Sequence, residues 1–196
     1  MMEYWKNGKC SDSIYCSYSS LQYSSAPFIL PRGIIVIRSL VQKDREKILA
    51  MLKNIPYFTA EEIDVAMELV DIVLRDEKQR DYTLQCLVDH EDQPLGYVCY
   101  GPTPMTEGTF DLYWIVVDPQ YQSQRVGTKL IDFFEDTVRG MNGRMILVDT
   151  SSISPYETVH RFYSEKGYRE VARVPDYYWP GNDRITFCKK LRDEAG

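Results

Sequence analysis

The sequence has 196 residues, 44% hydrophobic and 27% charged, with a formal net charge of -6. That length suits one domain with a substantial core and leaves too little chain for a second full one. The acidic balance argues against a surface built to grip nucleic acid or an anionic membrane, and no run of about 18 apolar residues offers a membrane span.

Five cysteines without C-x-x-C spacing, beside only His90 and His160, give no metal-site pattern, and no metal is expected. The N-terminus lacks a continuous apolar stretch of the secretory kind, so a cytoplasmic, reduced protein is expected. Residues 1–33 stand apart in composition. Seven serines and four tyrosines fall within the first 25 residues, with little periodic apolar patterning. They read as a poorly ordered extension, or as a segment whose tyrosines and Trp5 dock elsewhere, ahead of a domain spanning 34–196.

Ile34–Leu40 is a β-branched run and predicts a first strand. Ile48, Leu49, Leu52 and Ile55 recur at helical spacing. Thr59 followed by Glu62 is a capping-box signature for a second helix, lined by Ile63, Ala66, Val70, Val73 and Leu74. Tyr82–Val88 and Leu95–Tyr100 predict two strands turned at Glu91–Pro94. Phe110–Val117 is a third close behind them, suggesting an antiparallel meander. By alternation Asp111, Tyr113, Ile115 and Val117 share one face of it, and Phe110, Leu112, Trp114 and Val116 the other.

Leu130, Ile131, Phe134 and Val138 stripe a helix ending near Gly140. Arg144–Val148 follows as a strand parallel to the one before the helix. Ser154-Pro155 starts a helix with Ser154 as N-cap, closed by Gly167. Tyr168–Val174 and Arg184–Lys190 finish as strands around a loop at 178–183. The fold class is therefore a mixed α/β, mostly antiparallel seven-stranded sheet with about four helices, in the order β-α-α-β-β-β-α-β-α-β-β.

Phe110–Thr128 is the stretch that carries chemistry. An apolar strand runs into Asp118-Pro119, then a polar loop, then a helix start. Amides at a helix mouth have no internal partners and can hold a phosphate. Gly127 permits close backbone approach, or else serves tight helix packing.

With this element order, residues 34–191 resemble the GNAT superfamily of acyl-CoA-dependent N-acetyltransferases. The resemblance rests on Gln122-Ser123-Gln124-Arg125-Val126-Gly127, set against a family pattern of Gln or Arg, two residues, Gly, one residue, then Gly or Ala. Arg161-Phe162-Tyr163 and Lys166-Gly167-Tyr168 match the family's Phe-Tyr helix and its end. The sequence departs from the pattern at Arg125, which replaces a glycine, and at Tyr156, where an asparagine is usual. A helix-start residue has negative φ, so Arg125 is expected to be tolerated and to add charge against phosphate. The other reading is that its Cβ crowds the cofactor.

The resemblance implies an N-acetyltransferase that moves an acetyl group from acetyl-CoA to a primary amine. It assigns the pyrophosphate to Gln122 and to the amides of Gln124, Arg125, Val126, Gly127 and Thr128. The pantetheine arm falls to the backbone of Ile115, Val116 and Val117, with Tyr163 as acid for the departing thiolate and Asp111 as base for the amine. Tyr163 also reads as core, and Asp111 as a solvated strand-end carboxylate. Glu107 and Asp149 are further candidates for the base. Tyr177, Tyr178, Trp179 and Asp183 either border the acceptor or form a packed surface loop. The rival to an enzyme is a catalytically silent acyl-CoA-binding or protein-interaction module. The partner expected is a small-molecule or peptide amine, and a homodimer is compatible with these features.

Overall fold

The computed structural model describes residues 36–76 and 78–192, so the extension 1–33 and the cysteines within it lie outside the described residues. The first β-branched run forms β1 (Val36–Ser39), followed by α1 (Asp44–Lys53) and α2 (Ala60–Arg75). Next come β2 (Thr83–Val88), β3 (Pro94–Pro102) and β4 (Thr109–Val117), then α3 (Val126–Gly140), β5 (Met145–Ser151), α4 (Glu157–Glu165), β6 (Arg169–Trp179) and β7 (Asn182–Lys190). The seven strands lie in one sheet in the order β1-β2-β3-β4-β5-β7-β6. Every neighbouring pair is antiparallel except β4 and β5. Element order and sheet class are those read from the sequence.

The helices cover both faces of the sheet because each presents one apolar stripe. Ile48, Met51 and Leu52 of α1 and Ala66, Met67 and Val70 of α2 are buried with Cys86, Cys99 and Val116. On the opposite face Leu130, Ile131, Phe134 and Val138 of α3 are buried with Val98, Leu112, Ile146 and Phe187. The Thr59–Glu62 capping box is formed in both directions: Glu62 N–H donates to Thr59 Oγ1 (3.1 Å) and Thr59 N–H donates to Glu62 Oε2 (2.8 Å).

Two buried carboxylates fix where α1 and the loop after β4 sit. Asp44, 1% exposed, accepts two bonds from Arg38 (2.7 and 2.9 Å) and one from the Val41 amide (2.9 Å). Asp118, also 1% exposed, accepts from Lys47 Nζ of α1 (3.0 Å) and from the Gln120 amide (3.1 Å). Burying a carboxylate is tolerable only with such donors around it.

The structure corrects the sequence reading in four places. A bulge in β4 breaks its alternation: Cys99 pairs with Trp114 but Tyr100 pairs with Leu112, leaving Tyr113 as the extra residue. Ile115 and Val117 therefore join Phe110 and Leu112 on the α3 face, while Tyr113, Trp114 and Val116 face α1 and α2. The last hairpin is tighter than expected, since Trp179 pairs with Asn182 across Pro180-Gly181 and β6 is bulged between Val174 and Trp179. Ser154 is not an N-cap. It opens a 3-10 turn, Ser154–Tyr156, whose cap is Ile153.

The fourth correction concerns Arg125. It is the residue before α3, and its φ of 64° and ψ of 15° are left-handed rather than helical. Ser123 two residues earlier also has a positive φ of 62°. An L side chain there strains against its own backbone, so Arg125 occupies the conformation that glycine takes at no steric cost. Arg125→Gly should therefore stabilise the folded chain by about 0.5–1 kcal/mol, read as a higher urea midpoint at unchanged slope.

Candidate active site

The parallel pair β4–β5 is hydrogen-bonded over three residue pairs only: Thr109 with Met145, Phe110 with Ile146, and Asp111 with Leu147. Beyond Asp111, β4 stays paired with β3 to Val117, and β5 stays paired with β7 to Ser151. The two strands part into a wedge, leaving the β5-facing edge of β4 without a strand from Leu112 onward. The bulge at Tyr113 lies just past the parting point and adds local bend and twist.

Two features lie along this wedge. At one end is the mouth of α3. Its first ladder bond runs from Lys129 N–H to Arg125 C=O (3.0 Å), so the amides of Val126, Gly127 and Thr128 precede the helical hydrogen-bond pattern. Gln122, Ser123, Gln124 and Arg125 are exposed around it. A Cβ placed on Gly127 would meet Val117 Cγ2 at 3.6 Å and Phe162 Cζ at 3.8 Å, which are ordinary contacts. Packing within the chain does not demand glycine there. The amides beside it lie at the positive end of the helix, which favours an anion.

The second feature is an open cavity of about 620 Å³ in the wedge itself. Asp111, Ile115, Asp149 and Tyr163 line it together, although they come from β4, β5 and α4. Val116 is core and Val117 lies against Gly127. Glu107 does not line the cavity; its carbonyl accepts from Arg144 Nε (2.8 Å). Of the expected aromatic loop, Tyr178 and Trp179 reach the cavity and Tyr177 and Asp183 do not.

Asp111 accepts from Thr103 Oγ1 at 2.8 Å. Half-burial raises its pKa, the Thr103 bond opposes this, and the charge of Asp149 adds to the rise. Tyr163 is 4% exposed, with Tyr168 and Phe187 ring centroids 5.5 and 5.8 Å away. Burial pushes its phenol well above the usual tyrosine range, so it stays protonated and available as a donor. His160 Nε2 lies 2.9 Å from the Ser151 carbonyl, which can only accept, and holds α4 onto the end of β5.

Other lining residues had no signal in the one-dimensional pattern. Tyr57 and Phe58 precede α2, and Phe58 meets Trp114 edge-on at 5.6 Å. Tyr156 donates from its hydroxyl to Glu62 Oε1 (3.1 Å) and packs edge-on to Tyr57 (5.3 Å). Thus the glutamate of the capping box uses one oxygen for its helix and the other across the wedge. Asn182 is fully buried. Its Oδ1 accepts from Ser151 Oγ (2.6 Å) and from the Ser152 amide (3.2 Å), leaving Nδ2 without a partner among the described residues.

Comparisons with known proteins agree with this geometry. Residues 82–170 match the family model for the acetyltransferase (GNAT) domain. A putative acetyltransferase of the GNAT family from Desulfovibrio desulfuricans is 35% identical, with a TM-score of 0.77, over 81% of this chain and 99% of that one. The ribosomal-protein-S18-alanine N-acetyltransferase of Escherichia coli shares the fold at 17% identity and a TM-score of 0.64, over 83% and 99% of the two chains. An aminoglycoside 6'-N-acetyltransferase complexed with coenzyme A does so at 16% identity and a TM-score of 0.63, over 82% and 99%. No curated protein matches the sequence. The 35% identity across nearly all of the Desulfovibrio protein, on the same fold, decides the matter: the chain belongs to the GNAT superfamily of acetyl-CoA-dependent N-acetyltransferases.

Proposed function

We propose that this protein transfers an acetyl group from acetyl-CoA directly to a primary amine bound in the wedge. The observation that carries the reading is the wedge itself, a free strand edge leading from a bare helix mouth into a cavity lined by Tyr163 and Asp111. A fold-sharing enzyme crystallised with coenzyme A supports the choice of cofactor.

The chain's residues fit such a cofactor. The amides of Gln124 to Thr128 would receive the pyrophosphate, with Gln122 beside them, and the space over Gly127 admits close approach. The exposed Arg125 guanidinium adds positive charge at the same mouth. Backbone groups of Ile115, Val116 and Val117 offer strand-type hydrogen bonds along the open edge. Bound acetyl-CoA supplies an activated acetyl group and leaves as a thiolate. Tyr163 holds its proton within the cavity and presents it to that sulfur. Asp111, as its carboxylate, takes a proton from the bound ammonium directly or through water and so frees the lone pair that attacks the thioester carbonyl; the second proton leaves nitrogen as the C–S bond breaks and restores the Tyr163 phenol.

Calorimetry on the full chain should show acetyl-CoA binding. Gly127→Ala should weaken it about tenfold while leaving the thermal midpoint within about 2 °C, since the added methyl meets only ordinary contacts within the chain. Equal affinities would detach Gly127 from the cofactor.

Tyr163→Phe should lower kcat about 10²-fold at unchanged acetyl-CoA affinity, the scale expected for losing a general acid. An unchanged kcat removes that role.

The pKa of Asp111 is raised, and the carboxylate is the form that accepts a proton. Activity should therefore be lost as pH falls through a limb lying above the ordinary carboxylate value of about 4. Asp111→Asn should abolish that limb along with most of the rate. A limb that survives the substitution belongs to another group.

A further inference from the structure

We infer that the acceptor is a cationic amine with an apolar or aromatic body and no carboxylate beside the amine. The inference rests on the reading of this cavity as the acceptor site and narrows it to a substrate class.

The lining chemistry is one-sided. Glu62, Asp111 and Asp149 contribute carboxylates, and among the described residues that line the cavity there is no lysine, arginine or histidine. Each carboxylate already has a neutral donor: Thr103 for Asp111, the Thr59 amide and Tyr156 for Glu62, and Thr186 for Asp149 (2.6 Å). Neutral donors leave the negative charge in place. Arg184 comes within 3.7 Å of Asp149, but it stacks over Tyr177 at 4.5 Å and does not line the cavity. An ammonium entering here meets opposite charge in a partly desolvated setting, offset at Asp149 alone by Arg184, whereas an added carboxylate meets repulsion and no cation among the lining residues.

The walls say what body the amine carries. Nine of the 22 lining residues are aromatic. Tyr57, Phe58, Trp114 and Tyr156 form a connected edge-to-face set with centroids 5.3–5.6 Å apart. Tyr178 and Trp179 add rings from β6. Such walls favour apolar surface, and ring faces also attract an ammonium. Thr59, Thr150, Ser151 and Asn182 are the neutral polar side chains of the lining besides the tyrosines, and Thr150 Oγ1 and Asn182 Nδ2 are buried away from the open space. A polyhydroxylated sugar would lose water from its hydroxyls against the aromatic part of these walls.

Matched ligands test this. Binding of phenethylamine, phenylalanine, phenylalaninamide and glucosamine to the full chain is measured by calorimetry, with and without non-acetylated coenzyme A so that no transfer occurs. Phenethylamine should bind about tenfold or more tightly than phenylalanine. Phenylalaninamide, with its carboxylate masked, should recover most of the loss, and glucosamine should bind more weakly than phenethylamine. In Asp149→Asn, whose amide oxygen can still accept from Thr186, the gap between phenethylamine and phenylalanine should narrow several-fold. The inference is overturned if phenylalanine or glucosamine equals phenethylamine, if none of the amines binds, or if the gap is unchanged in Asp149→Asn. Acetyl transfer is scored separately. Selective binding without transfer from acetyl-CoA upholds the acceptor class and removes the enzymatic reading.

Discussion

The parting of β4 from β5 after three bonded pairs is the constraint on which the site depends. A parallel pair that continued would close the sheet, seal the edge of β4 and abolish the cavity. Each strand keeps its other partner beyond Asp111 and Leu147, so the sheet tolerates the gap without losing the layers around it. The cost is a run of backbone groups on one strand edge with no strand to bond. Elsewhere an open edge is a liability that proteins cover or disrupt. Here it is enclosed between α3, α4 and the loop before α2, where a partner of limited size can reach it.

Charge placement follows from that gap. The buried carboxylates of Asp44 and Asp118 are saturated with donors and set the position of α1 relative to β1 and the loop that leads to α3. The cavity carboxylates are less buried, with neutral donors on Asp111 and Glu62 and with a threonine and the Arg184 ion pair at 3.7 Å on Asp149. The buried acids and the cavity acids thus differ in their partners rather than in residue type. At Gly127 a side chain would meet only ordinary contacts within the chain, so internal packing does not require the glycine.

Much of the fold was legible because its signals are local. Apolar spacing in α1, α2 and α3, the Thr59–Glu62 box and the glycine closing α4 each act within a few residues. The sequence placed Gly127 at the start of α3 through such a local signal, and the family motif singled out Tyr163, which lines the cavity. The bulge at Tyr113 carries no glycine or proline, and it reverses the faces of Ile115 and Val117 relative to simple alternation. The left-handed Arg125 was misread because an arginine itself gives no warning of positive φ; the warning lay in the glycine that the family pattern has at that place. Tyr156 and Glu62 are 94 positions apart, and their bond arises only when the α2 loop and the turn before α4 meet over the cavity. Pairings of that kind depend on the finished topology and leave no periodic trace.

That last contact has a mechanical consequence. Two strands joined only at their apex make a hinge, free to swing through a range of angles. The Tyr156–Glu62 bond, backed by the Tyr57 ring, ties a segment following β5 to a segment packed beneath β3 and β4, at the open end of the wedge. A hinge braced across its mouth is a triangle, and a triangle keeps its angles unless one side breaks. That bond therefore helps hold the spacing between the cavity walls and the strand edge. Opening the wedge requires surrendering the Tyr156 bond to Glu62 Oε1, and since Oε2 of the same carboxylate caps α2, movement at the site is felt at the start of that helix.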